Sequence, residues 1–172
     1  LPMLTILLLW LEDTPPSFWV REYPSLFGFP FILFLHTLGL AMLAGISIAI
    51  DLWLLKATTF ARTVRMSGLI RVMWLGFGIN TASGVALLLA YPAKALTNPV
   101  FYANLLLVVV GMYAVACINR EAFPRGAAVA GALINVVTKR WAASSLVIWA
   151  GTIATGRLLA YTHSVLFASQ LP

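Results

Sequence analysis

From Glu22 to Asp51 the chain carries no Asp, Glu, Lys or Arg, and the run FPFILFLHTLGLAMLAGISIAI fills most of that interval. A second apolar run, VMWLGFGINTASGVALLLAYPA, is bracketed by Arg71 and Lys94. A third lies between Lys94 and Arg120 and starts through Asn98–Pro99, where proline is tolerated because the first helical turn has no use for its missing N–H. The fourth, WAASSLVIWAGTIATGRLLAYTHSVLF, follows Arg140 and is interrupted only by Arg157. A hydrocarbon core is crossed by about 20 apolar residues in helical form, and each run supplies that length. The pattern predicts transmembrane helices near 28–53, 71–92, 99–119 and 141–165. The expected fold is an all-α integral membrane four-helix bundle, one domain over residues 1–172.

Two further apolar pieces are too short to span. Residues 1–11 end at Glu12–Asp13 and the helix-breaking Thr14–Pro15–Pro16, and GAAVAGALINVVT is closed in by Arg125 and Lys139. Segments of this length lie in the interface or connect spans. They predict an N-terminal interfacial segment over 1–22, anchored by Trp10, Phe18 and Trp19, and a connecting helix near 126–138. The opening LPMLTILLLWL lacks the basic start of a signal peptide, and EDTPPS follows where a small-residue cleavage site would stand. It is read as part of the mature protein.

Composition agrees with lipid as the solvent. Of 172 residues, 62% are hydrophobic and 9% charged, against roughly 25% charged in an average soluble domain. The net charge of +6 does not indicate nucleic acid, because the basic residues flank apolar runs and form no basic patch on a polar surface. They report topology instead. Lys56, Arg62, Arg65 and Arg71 join the first two spans, and Arg120, Arg125, Lys139 and Arg140 join the last two, whereas the opposite side has Arg21, Lys94 and Arg157. Positive residues stay on the cytoplasmic side, so both termini are expected in the periplasm of a bacterial inner membrane. Cys117 is the single cysteine, which excludes an intrachain disulfide and a cysteine-based metal site.

Polar groups inside the spans carry the functional information, since ionisable side chains are costly in hydrocarbon. His36 falls about two turns into the first span if that helix starts near Pro30. It can ligate haem, bond a quinone carbonyl, relay protons, or hold a neighbouring helix. Asn80 is placed at comparable depth in the second span, Asn104 just inside the third, and Arg157 and Tyr161 towards the end of the fourth. His163 is the one other histidine, and a second haem ligand would have to be this residue. The candidate cofactor-binding set is therefore His36, Asn80, Arg157 and His163, either converging on a small polar pocket or acting as separate interhelical bonds. Asp51, in IDLWLLK, is expected to form a structural ion pair with Arg71. Small residues at four-residue spacing (Ala41, Gly45, Ala49; Gly76, Asn80, Gly84; Thr152, Gly156, Ala160) predict close helix contact. No phosphate loop, HExxH or GxSxG motif occurs, so neither catalysis nor a metal is expected.

His36-Thr-Leu-Gly-Leu-Ala-Met-Leu-Ala-Gly45 with Asp51-Leu-Trp-Leu-Leu55 resembles the first helix of a family of small, uncharacterised bacterial four-helix membrane proteins. Trp10-Leu-Glu-Asp-Thr-Pro15, Asn98-Pro-Val-Phe101 and Gly156-Arg-Leu-Leu-Ala-Tyr161 extend that resemblance over most of the chain. It implies the four-helix fold and marks His36, Asp51 and Arg157 as shared positions, without an activity. Many relatives carry a basic residue where Asn104 stands and a histidine near Cys117 to Asn119. If that histidine holds a cofactor in them, its lack here argues against one. A fainter similarity to copper-resistance D-type membrane proteins gives no ground to assign copper.

Together these features predict a non-catalytic accessory subunit in contact with membrane lipids and other integral membrane subunits. A respiratory or photosynthetic redox complex is the expected setting, with no cofactor bound. The alternative is a redox subunit holding b-type haem or quinone through His36. A small transporter is disfavoured by the scarcity of ionisable groups along any path through the membrane.

Overall fold

The computed structural model describes residues 10, 14–22, 28–57, 64–122 and 134–168, and among them there is no strand. The elements are α1 (Pro15–Glu22), α2 (Phe29–Lys56), α3 (Val64–Ala90), α4 (Pro92–Leu96), α5 (Pro99–Ala122) and α6 (Val136–Ala168). Four segments are long and apolar enough to cross a bilayer: Phe29–Lys56, Gly68–Ala90, Pro99–Glu121 and Val136–Leu159. The chain is an all-α four-helix bundle of a multi-pass membrane protein.

Helix starts follow local chemistry. Proline occupies the first turns of α2, α4 and α5. The Asn98 side chain accepts from Val100 N at 2.9 Å, and Asn135 accepts from Val137 N at 3.0 Å, each satisfying an amide that lacks an intrahelical partner. The helices extend beyond the charge-free runs. α3 begins before Arg71, and α6 includes Lys139 and Arg140, because a basic residue ends hydrocarbon solubility without ending helical hydrogen bonding. Of the connecting helix expected near 126–138, residues 136–138 form the first turn of α6 and 126–133 lie outside the described residues. Likewise, residues 1–9 and 11–13 of the interfacial segment are outside them, while α1 packs against α3.

Across the bundle the order is α3, α2, α6, α5, with α2 lying along both α3 and α6 and α5 along α6. All four spans nevertheless meet in the middle, where Leu43, Ala44, Met73, Val115 and Trp149 form one buried cluster. Towards Lys139 the core continues through Ile50, Leu54, Ile118 and Ala142, and at the other end Val20 of α1 joins Ile32 and Ala90. Large apolar side chains such as Trp74, Leu75, Leu106, Val109 and Val147 are exposed. This outward apolar surface is what a lipid-solvated bundle presents.

The backbones of α2 and α3 approach closely. A Cβ added at Gly39 would stand 2.5 Å from Asn80 N, and one at Gly76 would stand 2.6 Å from Met42 Cβ. The stripe of Gly76, Asn80 and Gly84 thus faces α2 as expected. The stripe of Ala41, Gly45 and Ala49 does not serve this contact: all three are exposed, and nothing lies within 4 Å of a Cβ at Gly45. Every face of α2 is apolar, so small residues alone did not distinguish the helix-facing side from the lipid-facing one.

Candidate functional site: polar clusters between the spans

Close approach at Gly39 and Gly76 brings His36 of α2 against Asn80 and Ser83 of α3. His36 Nδ1 lies 3.1 Å from the Asn80 carbonyl oxygen and 3.2 Å from Ser83 Oγ. The Ser83 hydroxyl donates to the Ile79 carbonyl at 2.6 Å, so its oxygen is free to accept. A carbonyl can only accept. Nδ1 must therefore carry the proton and donate, which assigns the tautomer. In return, Asn80 Nδ2 donates to the His36 carbonyl at 3.0 Å. The two residues clamp each other's backbone. Gly84 leaves the room this needs, since a Cβ there would be 3.2 Å from His36 Cε1.

With Nδ1 committed, Nε2 has no partner among the described residues, and it is not among the unpartnered atoms sealed from the surface. An imidazole fixed through Nδ1–H to a carbonyl while presenting Nε2 has the arrangement that orients histidine as a ligand or acceptor.

A second cluster joins α5 and α6. Thr155 Oγ1 donates to Asn104 Oδ1 at 3.0 Å, sharing its proton with the Gly151 carbonyl of its own helix at 2.8 Å. Gly156 faces the same amide, with a Cβ there 3.6 Å from Asn104 Oδ1. About two turns along, Asn98 Nδ2 donates to Thr162 Oγ1 at 2.8 Å. His36 and Asn80 are thus brought together, and Asn104 is bound to the other helix pair. Arg157 is exposed on α6. His163 belongs to α6, but its side chain lies outside the described residues.

Asp51 is buried at 1% exposure, and its Oδ2 has no hydrogen-bond partner. Arg71 is exposed on α3, and the ion pair expected between them is not present among the described residues. The reason is geometric: Asp51 shares with Ser47 the face of α2 that turns into the bundle, whereas Arg71 turns outward. Lys139 sends its Nζ to the Leu55 carbonyl at 3.3 Å, where a cation complements the end of α2.

Sequence reasoning missed Ser83, Thr155 and Ser145. Ser83 was legible in part, three residues after Asn80 and hence on the same face. Among the described residues no group of three or more His, Cys, Asp or Glu is placed to hold a metal. No protein-family model matches the chain, and neither a curated protein nor a solved structure does.

Proposed function

We propose that this chain is a non-catalytic integral subunit of a bacterial inner membrane, packed laterally among lipids and other membrane subunits of a larger redox complex. The observation that carries the reading is the reciprocal clamp of His36 and Asn80, with Asn104–Thr155 as its counterpart on the other helix pair. The polar side chains of these two clamps hold helices together, an interhelical use worth about 0.6 kcal/mol per pair on average. The exposed stripe of Tyr102, Leu106, Val109 and Tyr113 on α5 offers an aromatic-edged apolar face for neighbours or lipid. The resemblance to small bacterial four-helix membrane proteins belongs to the same reading.

The test is native electrophoresis after mild-detergent extraction from the source membrane. The chain is expected in a complex well above its own 18.7 kDa, with co-migrating membrane subunits; migration only as a free chain would refute the reading. The basic-residue asymmetry orients the bundle with both termini in the periplasm. In a Cys117→Ala background, a cysteine at Ala93 should react with an impermeant maleimide in intact cells, and one at Ala122 should react only after lysis.

A second reading rests on the unoccupied Nε2 of His36. Held through Nδ1, it can accept from a quinol hydroxyl or ligate b-type haem. A Soret band in the purified chain that disappears in His36→Ala would favour haem. A colourless protein whose copurifying quinone is unchanged by that substitution would remove both roles.

A further inference from the structure

Among the described residues, no side chain supplies a counter-charge to the buried carboxylate of Asp51. Packed around it, α2 contributes Lys56, α3 Arg71, α5 Arg120 and Glu121, and α6 Lys139 and Arg140. Lys56, Arg71, Arg120, Glu121 and Arg140 are exposed, and the Lys139 ammonium is bonded to the Leu55 carbonyl. A buried carboxylate without a counter-ion is costly in a low-dielectric interior.

The polar groups nearest Asp51 are neutral and bear oxygen. Ser145 of α6 faces the carboxylate with a hydroxyl that can donate to it, although neither its buried Oγ nor Asp51 Oδ2 reaches a partner in full hydrogen-bond geometry. Ser47, one turn before Asp51 on the same face, spends its proton on the Leu43 carbonyl at 2.8 Å and keeps its lone pairs. Beside the carboxylate is a cavity of about 10 Å³ lined by Ser47, Asp51, Met73 and Asn119 on an apolar floor. That volume admits a single water-sized body. Neutral oxygens, one formal negative charge and one small void together describe a cation site.

We propose that Asp51 binds a small monovalent cation of sodium's size, with Ser145, Ser47 and Asn119 supplying neutral oxygen ligands. One carboxylate balances one positive charge. Hard oxygen donors suit an alkali ion and not a soft metal, for which Met73 is the sole sulfur at the cavity. A divalent ion would gather further carboxylates, and none faces this site among the described residues. The site is independent of His36, which lies just over four turns away along α2.

The test uses the full chain in mild detergent and a hydrophobic carbodiimide, with modification at Asp51 read by mass spectrometry at fixed pH. In choline chloride Asp51 should be modified. Equimolar sodium chloride should suppress modification at least about fivefold, and Ser145→Ala should raise the half-protecting sodium concentration by about tenfold. Thermal unfolding provides the second arm, because a ligand that binds the folded state raises its stability. Sodium should raise the Tm of the wild type and leave that of Asp51→Asn unmoved. Equal modification in sodium and choline would mean that the carboxyl holds only a proton, and overturns the proposal. If Asp51 is modified in neither salt, the absence of a sodium-specific rise in Tm overturns it instead.

Discussion

At the scale of single residues, the sequence located the costly polar groups but not their partners. His36 and Asn80 were legible because nothing else ionisable or amide-bearing shares their depth in the first two spans. Their bonding was not, because it depends on the approach of two backbones at Gly39 and Gly76. The geometry makes a specific energetic statement. The shorter bond of each side chain ends on the other's backbone carbonyl, and the direct contact of Asn80 Nδ2 with His36 Nδ1 is longer at 3.4 Å, so truncating one leaves the main acceptor of the other in place. His36→Ala and Asn80→Ala should each cost about 0.5–1.5 kcal/mol. The double variant should equal their sum within about 0.5 kcal/mol despite the shared site. Reversible unfolding in mixed micelles measures all three, and a coupling above 1 kcal/mol, on the order expected for direct side-chain partners, would show that the bonds run between the side chains instead. Asp51 illustrates the opposite limit: its burial was beyond sequence reasoning, because Arg71 near the start of the next span made an ion pair the cheaper expectation.

Among elements, charge-free length gave the number of spans directly, because hydrocarbon thickness sets a minimum that four segments meet among the described residues. Which faces meet was not legible. In a soluble helix the apolar stripe marks the buried side, but α2 is apolar all round, and its small-residue stripe proved to be exposed. Space around each glycine is the better guide. Gly39→Ala and Gly76→Ala should each destabilise the bundle by about 1–3 kcal/mol through overpacking against backbone. Gly45→Ala, with nothing within 4 Å, should be neutral or gain up to about 1 kcal/mol from helix propensity. Resistance of the three variants to dodecyl sulfate unfolding would rank them. Loss at Gly45 comparable to that at Gly39 would place the helix contact on the wrong face.

For the whole molecule, the arrangement is two helix pairs joined along α2 and α6. Each pair has its own polar clamp, His36–Asn80 in one and Asn104–Thr155 in the other. Between the pairs the described contacts are mainly apolar, and the largest fully buried side chain among them is Trp149, which packs in the middle cluster with Leu43, Ala44, Met73 and Val115. In lipid there is little hydrophobic drive between helices, and tight packing supplies association in its place. The pairs should consequently form as separate units and join through Trp149. Coexpressed fragments 1–96 and 97–172, cut just before the Asn98 cap of α5, should copurify from the membrane when only one carries an affinity tag. Trp149→Ala removes the side chain that bridges the pairs, a truncation that costs about 3–5 kcal/mol in a packed core, and should abolish copurification while both fragments stay in the membrane fraction. Asn104→Ala acts within one pair and should leave copurification intact. If Trp149→Ala and Asn104→Ala separate the fragments equally, the bundle is one cooperative unit, and the division into pairs fails.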